Sequence, residues 1–410
     1  MSTSTQSDSA RNDDANLPLA GIRVLDVSQV MAGPFCCMLL GDMGADVIKI
    51  EPPKIGDSTR HSMGFRLKGE DSPGFLALNR NKRSIALDLK QPADREILYA
   101  LVKTADVLVE NARPGVADRL GMGYETLSAI NPRLVYASIS GFGHTGPWSQ
   151  RPGFDLIAQA MSGALSATGL PGHEPVTSGL PVADLGAGLF ATYGILSALL
   201  GRGKSGRGQY IDASLLEAAL GLSVWETTEL WGTGKSPQPI GSANRMSAPY
   251  QAVQASDGYF VIGAANQKLW LTFLEVMQRP ELNADPRFAT NALRVTNRVE
   301  LIDALKPTLA RRTVHEWVEA LLAAGVPAGP IYNYEQALAS DHIAAREMVI
   351  DVPHPVEGSF RALGFPIKMR GTPQRVRHSP PLLDQHGDEL RRELIEKGLL
   401  PSNSHQAASR

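Results

Sequence analysis

The stretch IRVLDVSQVMAGPFCCMLLGDMGADVIKIE, residues 22–51, decides the fold of this chain. Its run at 22–27 predicts a strand, and a second strand is predicted at 46–51. Between them Gly33-Pro34 opens a helix, because proline suits the first turn of a helix. A strand, a helix and a strand in this order are typical of a parallel sheet with helices on both faces.

The same alternation continues through the first half of the chain. Further strands are predicted at 84–87, 107–110, 134–139 and 209–213, with helices at 93–103, 124–130, 155–165 and 185–200. Beyond a Gly-, Pro- and Ser-rich stretch at 232–248, a hairpin and three helices indicate a smaller α+β domain. The predicted organisation is a tail at 1–16, the first part of a large α/β domain at 17–225, a linker at 226–247, a small domain at 248–332, a return to the large domain at 333–400 and a tail at 401–410.

The composition excludes several classes of protein. With 410 residues the chain is longer than one core usually serves, so two domains are expected. A net charge of −2 gives no general attraction to nucleic acid, and no run reaches the roughly 20 uninterrupted apolar residues of a membrane span. The adjacent Cys36 and Cys37 fit a reducing compartment. Neither tail resembles a secretory signal, so we predict a cytoplasmic protein with no nucleic-acid and no membrane partner.

Asp184 is the most informative single residue. It lies in SGLPVADLGAG, residues 178–188, as a lone carboxylate among small and apolar residues, directly before a predicted apolar helix. Burying a charge is costly unless the charge is paired, hydrogen-bonded or used. Two interpretations are open at this point. Asp184 is either the N-cap of that helix, or a partly desolvated carboxylate that backbone N–H groups and the helix dipole hold ionised for attack on an activated carbonyl.

Other sequence patterns point to no second chemistry. The GRGKSGRG stretch at 201–208 lacks the earlier glycine of a phosphate-binding P-loop and leads from a helix into a strand, so it indicates a flexible loop. The turn after the first strand lacks the glycine pattern of a nicotinamide site, and the chain has no G-x-S-x-G nucleophile motif. The nine histidines have no paired metal spacing, so we predict no metal site and no permanently bound cofactor.

Several segments, in order along the chain, resemble those of the class III CoA-transferases, also called the CaiB/BaiF type. They are LDVSQVMAGPF at 25–35, GADVIKIE at 44–51, NRNKRS at 79–84, VENARPG at 109–115, GFGHTGP at 141–147, RPGFD at 151–155 and GRGQ at 206–209. The resemblance implies a Rossmann-like large domain built from both ends of the chain, a smaller domain between, and two subunits interlocked as a homodimer. It also implies that Asp184 is the catalytic nucleophile, which carries first an acyl group and then CoA in covalent form.

The resemblance also assigns CoA contacts residue by residue. These are Met31 and Ala32 along the pantetheine, Leu87, Asp88 and Lys90 near the adenosine, and Asn111, Ala112, Arg113 and Arg119 around the phosphates and pantetheine. Lys90, Arg113 and Arg119 suit phosphate oxygens as cations, and the alternative for each is a solvated surface charge. Met31 and Pro52 stand where formyl-CoA transferase has glutamine and arginine, so formyl-CoA–oxalate exchange is not expected.

The α-methylacyl-CoA racemases of the same superfamily offer an alternative function. They use a His–Asp pair, and their histidine would fall at Phe154, whose ring cannot move a proton. Racemisation or epimerisation is therefore disfavoured. Phe154 and Asp155 are expected beside the substrate, and the sequence leaves open whether Asp155 orients the site or caps a helix.

Further segments are similar to those of succinate–hydroxymethylglutarate and related dicarboxylate CoA-transferases. They are GSANR at 241–245, PYQA at 249–252, NALRV at 291–295 and GPIYN at 329–333. The likeness implies acyl-CoA and carboxylate substrates, with succinyl-CoA as donor and a dicarboxylic acid as acceptor. A distal carboxylate needs a cation, for which Arg245 is the candidate. The alternative is that Arg245 is an ordinary interface residue.

Overall fold

The computed structural model describes residues 14–62 and 65–402. The predicted tails at 1–16 and 401–410 therefore lie mostly outside the described residues. The chain divides into two compact units. The first contains residues up to 164, 178–227 and 344 onward, and the second contains 165–177 and 228–343.

The elements follow in chain order. The strands are β1 (Arg23–Asp26), β2 (Asp46–Glu51), β3 (Lys82–Ala86), β4 (Val107–Glu110), β5 (Val135–Ser140), β6 (Tyr210–Ser214), β7 (Tyr250–Gln254), β8 (Tyr259–Gly263), β9 (Ala328–Pro330), β10 (Val349–His354) and β11 (Gly358–Leu363). The α-helices are α1 (Ala32–Asp42), α2 (Pro73–Leu78), α3 (Pro92–Val102), α4 (Val116–Arg119), α5 (Tyr124–Ile130), α6 (Asp155–Met161), α7 (Ala164–Ala167), α8 (Val182–Ser205), α9 (Leu215–Leu222), α10 (Val224–Thr233), α11 (Gln267–Met277), α12 (Asn291–Thr296), α13 (Arg298–Leu309), α14 (Val314–Ala323), α15 (Tyr334–Leu338), α16 (Asp341–Ala345) and α17 (Gly387–Glu396).

The first unit is built on a sheet of parallel strands in the order β3-β2-β1-β4-β5-β6. Leu25 of β1 pairs with Ile48 on one side and with Leu108 on the other. These side chains are fully buried, as expected for a parallel sheet with both faces covered by helices. The predicted α/β fold with a parallel sheet is confirmed.

Helices cover both faces of this sheet. One core contains Cys36 and Cys37 of α1 together with alanines of α8, and both cysteines are free thiols. The other core contains Leu98 of α3 and Leu390 of α17, so the last helix lies in the first unit, as the sequence suggested. The first unit therefore combines strands from the first half of the chain with a helix from near its end.

Helix α8 is long and apolar enough, by length and composition alone, to cross a membrane, and no other helix in the described part of the chain is. Its Ala183, Ala187 and Ala191 are fully buried in the core of the first unit. It also packs against α1, α9 and β5. Core helices of globular proteins pass the same length and composition test, so this is weak evidence for a membrane span.

The second unit contains the antiparallel sheet β7-β8-β9. Its core is rich in aromatic side chains, including Trp270, Phe273 and Trp317. The predicted hairpin is present as β7 and β8. The stretch predicted as a linker at 226–247 begins within α10 (Val224–Thr233), so its first part is helical. The unit is also wider than the predicted 248–332, since it takes in 165–177 and 228–343.

The strand order of the large sheet positions the site. The chain proceeds from β1 outward to β2 and β3, then returns to place β4 beside β1. In doubly wound sheets, ligands bind outside the carboxyl ends of the strands at this reversal. The segments that leave those ends here are residues 27–31 after β1 and 111–115 after β4.

Candidate active site

A cavity of about 550 Å³ opens at this reversal point, and the first unit supplies all of its lining. Its volume is that of a typical small-molecule site. Of the predicted residues, those that line it are Met31, Ala32, Leu87, Asp88, Lys90, Asn111, Ala112, Arg113, Phe154 and Asp184. Segments remote in the sequence therefore meet at one end of the sheet.

Three predicted residues lie elsewhere. Arg119 ends the short helix α4 and is not part of the cavity wall. Asp155 is not part of the wall either, although it contacts the backbone of Asp184. Arg245 belongs to the second unit, where its guanidinium pairs with Glu229 at 3.1 Å and donates to two backbone carbonyls.

Asp184 is in the first turn of α8, but it is not the N-cap of that helix. Pro181 occupies the cap position, so the N-cap interpretation of Asp184 is wrong. The first-turn amides are satisfied instead by Asp155, whose Oδ1 accepts from the N–H of Ala183 at 2.8 Å and from the N–H of Asp184 at 3.1 Å. Asp155 therefore caps α8 from the start of α6. Helix capping is one of the two roles that the sequence left open for Asp155; the other, orienting the site, stays a prediction.

Asp155 is itself held in place by a buried amide. The Nε2 of Gln159, one turn along α6, donates to Asp155 Oδ2 at 2.6 Å. The Oε1 of Gln159 accepts from the N–H of Ser178 at 3.1 Å. Gln159 thus links the loop before α8 to the carboxylate that caps α8. No local sequence pattern identified Gln159, since it reads as an ordinary helix residue.

Burial and charge make the Asp184 carboxylate more basic than an exposed one. Burial, and secondly the negative charge of Asp155, raise the pKa of Asp184 from 3.8 to about 6. The first-turn amides that could have lowered this pKa are engaged by Asp155. Asp184 is ionised at neutral pH, and its basicity favours attack on a carbonyl carbon.

The loop after β1 also lines the cavity, and its backbone is in a strained conformation. Val30 has φ 70°, which is an outlier for a β-branched residue. The N–H of Val30 donates to Asp57 at 3.2 Å, and Asp57 pairs with the buried ammonium of Lys49 at 3.0 Å. The Asn111 side chain holds the adjacent Gln29 at both its N–H and its carbonyl oxygen, at 2.8 and 2.7 Å. These contacts fix the backbone that presents Met31 to the cavity.

Arg151 is a cavity-wall residue that the site prediction missed. Its guanidinium carbon lies 4.9 Å from the centre of the Trp148 ring, a cation–π arrangement. A signal was present, because Arg151 opens the RPGFD segment that also contains Phe154. In the sequence, this segment indicated the family resemblance but no role for Arg151.

Comparison with known proteins decides the family. The family model described as CoA-transferase family III matches residues 19–387. The chain belongs to CoA-transferase family III. The resemblance found in the sequence is confirmed, and with it the prediction that this protein is a CoA-transferase and that CoA thioesters are its substrates.

Several family III enzymes are similar to this one over most of their length. The human succinyl-CoA:glutarate CoA-transferase is 38% identical over 92% of this chain and 86% of its own. An acetyl-CoA:oxalate CoA-transferase from Acetobacter aceti is 41% identical over 92% of this chain and 95% of its own. A CAIB/BAIF family protein from Brucella suis has a crystal structure that matches with a TM-score of 0.82 and 38% identity, over 92% of this chain and 100% of that protein.

The wall of the family III cavity also bears on the racemase alternative. Phe154 lies at the cavity and is 71% exposed. Among the described residues that line the cavity, none is a histidine. A histidine–aspartate pair across a substrate α-carbon therefore has no counterpart on the described part of this wall.

Proposed function

We propose that this enzyme transfers CoA from succinyl-CoA to a dicarboxylic acid through a covalent intermediate on Asp184. The observation that carries the proposal is a basic, partly buried carboxylate in the wall of the predicted CoA cavity. The names of similar enzymes support the substrate class, since they include succinyl-CoA:glutarate and succinyl-CoA:mesaconate CoA-transferases.

The proposed reaction begins when an Asp184 carboxylate oxygen attacks the thioester carbonyl of the donor. The carbon–sulfur bond breaks, leaving a mixed anhydride and the CoA thiolate. The thiolate then attacks the Asp184 carbonyl carbon, which releases the donor acid and leaves an aspartyl-CoA thioester. No permanently bound cofactor takes part in these steps.

The second half reverses the first with a different acid. The acceptor carboxylate attacks the aspartyl thioester, forming a new anhydride and expelling the CoA thiolate. The thiolate attacks the acyl carbon of the acceptor, giving the new acyl-CoA and the free Asp184 carboxylate. Every bond broken is matched by one formed between the same atom types, so the exchange needs no outside source of energy.

CoA recognition is proposed for the two cations that line the cavity beside the predicted nucleotide contacts. Lys90 follows β3, Arg113 follows β4, and both are exposed to solvent at the cavity. Cations in this position suit the 3′-phosphate and the pyrophosphate of CoA. Arg119 remains a predicted contact, six residues after Arg113 along the chain.

We also propose that the enzyme is a homodimer, interlocked as its family resemblance implies. Helices α8, α9 and the start of α10 expose a row of large apolar side chains within the first unit. These are Leu189, Phe190, Tyr193, Leu200, Leu220, Leu222, Val224 and Trp225. An apolar surface of this extent is typical of a protein–protein interface, and a second copy of the chain is the proposed occupant.

The function is tested by mass spectrometry of the thioesters formed from succinyl-CoA and a panel of carboxylic acids. New thioesters that require an acceptor, and that disappear in Asp184→Asn, are expected. When the acceptor is omitted, hydroxylamine should displace CoA from the aspartyl thioester and leave a hydroxamate on a peptide containing residue 184. Uptake of deuterium at the α-carbon of an acyl-CoA, without any acceptor, would instead favour the racemase alternative.

A further inference from the structure

We propose that Arg151 binds the distal carboxylate of the dicarboxylic acyl group during transfer, a role that rests on the proposed function. Three observations support the proposal: Arg151 lies in the cavity wall, its side chain is held against Trp148, and the other cations of the wall, Lys90 and Arg113, lie at the predicted nucleotide end. It makes Arg151 the residue that distinguishes a dicarboxylic acid from a monocarboxylic acid of the same length.

Arg151 lies on the segment that leads to Asp155, whose carboxylate contacts the backbone of Asp184. This segment runs from the end of β5 to the start of α6, and Ser149, Arg151, Gly153 and Phe154 all line the cavity with Asp184. Four peptide units after Arg151, Asp155 accepts a hydrogen bond from the Asp184 backbone at 3.1 Å. The Cα atoms of Arg151 and Asp155 are therefore at most roughly 14 Å apart.

The Arg151 side chain has a rigid support. Its guanidinium lies over Trp148, and Trp148 packs edge-on against the buried Phe142 with ring centres 6.1 Å apart. The N–H of Arg151 donates to the carbonyl oxygen of Trp148 at 2.9 Å, which closes a tight turn. Stacking occupies one face of the guanidinium and leaves its N–H edge available for a carboxylate.

The positive charge of the Arg151 guanidinium is available to a ligand. Within residues 14–62 and 65–402, no carboxylate lies within ion-pair distance of its guanidinium. An arginine in this state binds a carboxylate through two parallel N–H···O bonds, which fixes both the charge and the orientation of the acid. A methyl group in place of the distal carboxylate offers neither contact.

The other candidate cations have other predicted roles or other partners. Lys90 and Arg113 follow β3 and β4, at the predicted nucleotide end. Arg245, the candidate from the sequence, already has the carboxylate of Glu229 as a partner and donates to backbone carbonyls. Arg151 is the lining cation on the segment that leads to Asp155, the residue that caps α8.

The experiment compares Arg151→Met and Arg151→Lys with the wild-type enzyme. Each enzyme receives succinyl-CoA, with glutarate or pentanoate as acceptor, because these acids differ in one terminal carboxylate. The measured quantity is the ratio of kcat/KM for glutarate to kcat/KM for pentanoate. We expect this ratio to fall roughly 10- to 100-fold in Arg151→Met, as for the loss of a charge-assisted hydrogen bond, and to be partly restored in Arg151→Lys.

Two further variants sharpen the test. Arg207→Met replaces an exposed arginine outside the cavity wall and is expected to leave the ratio unchanged. Arg245→Met is measured in the same way, and a larger fall there than in Arg151→Met would assign selectivity to Arg245 and overturn the proposal. The affinity for free CoA should be the same in Arg151→Met and wild type.

An equal loss of kcat/KM for both acceptors, with weaker binding of CoA, would show that Arg151 binds the CoA moiety. That result would overturn this proposal but not the proposed function. If the wild type uses another dicarboxylate better than glutarate, the pair becomes that acid and its monocarboxylic counterpart. A wild-type enzyme that transfers CoA to no dicarboxylate would overturn the proposed function and this inference together.

Discussion

Replacing Asp184 with asparagine is expected to abolish CoA transfer and, above pH 6, to stabilise the folded protein. The pKa of Asp184 is raised by burial and by the charge of Asp155 from 3.8 to about 6. At about 1.36 kcal/mol per pKa unit, keeping this carboxylate ionised in the folded state costs up to about 3 kcal/mol. Because Asp184 is partly exposed, solvent screening reduces the expected gain to about 1–2 kcal/mol.

The pH dependence gives this prediction its sign. A raised pKa means that the folded state binds the proton more tightly than the unfolded chain. The ionisation cost is therefore absent below pH 4, increases between pH 4 and pH 6, and is constant above that range. The advantage of Asp184→Asn over wild type should follow the same curve and reach about half of its full value at pH 5.

The assay is thermal unfolding of both proteins at pH 5 and pH 8. For a chain of this length, 1–2 kcal/mol corresponds to a rise in Tm of roughly 1–2 °C at pH 8, and to about half of that at pH 5. Glu96→Gln is the matched control, because Glu96 is an exposed carboxylate in the middle of α3. A variant that is no more stable than wild type at pH 8, or whose advantage is the same at both pH values, would refute the reasoning.

The remaining predictions concern the cap, the CoA cations and the interface. Asp155→Asn keeps an acceptor for the α8 amides but removes the negative charge that raises the pKa of Asp184, so the rise of the transfer rate with pH should move to lower pH. Asp155→Ala should also lower the free energy of unfolding by about 1 kcal/mol, because the cap is lost. An unshifted pH–rate profile in Asp155→Asn would contradict this. Arg113→Ala should weaken CoA binding, measured by calorimetry, more than Arg119→Ala does, because of these two residues only Arg113 lines the cavity. Both substitutions should change the affinity for CoA more than the turnover rate. A larger loss of affinity in Arg119→Ala than in Arg113→Ala would exclude this assignment. Trp225→Asp should convert the proposed dimer into monomer in light scattering. A variant that is still dimeric would place the interface elsewhere, and a monomeric wild type would refute the proposed dimer.

The parallel sheet was predictable because its signal is local. Strands such as β2 and β5 are short apolar runs that alternate with helical patterns, and parallel strands must be buried on both faces. The hairpin of β10 and β11 was missed because its exposed and buried residues are mixed and Pro353 interrupts the pattern. The helix at the start of the predicted linker was not anticipated, because glycines and prolines dominate the sequence that directly follows it.

The site was predictable only in part, for a reason of sequence distance. Asp184 stands out because a charge among apolar residues is conspicuous in a single window. Asp155 could not be assigned, since the amide that it caps is 29 residues away. Asp57, which holds the strained Val30, is surrounded by polar residues and gave no signal at all. Such partners are decided by tertiary packing and not by local propensity.

The arrangement around Asp184 separates the stability of a helix from the reactivity of its first turn. Asp155 satisfies the amides of α8, so the helix is capped without using Asp184, the proposed nucleophile, as its cap. Asp184 is left with the cost of partial burial, which makes its carboxylate more basic than an ordinary one. In the proposed mechanism, forming the anhydride or the thioester neutralises that carboxylate and removes the cost. The environment that raises the pKa of Asp184 would therefore also stabilise the proposed neutral intermediates relative to the free enzyme, which is the direction that covalent catalysis requires.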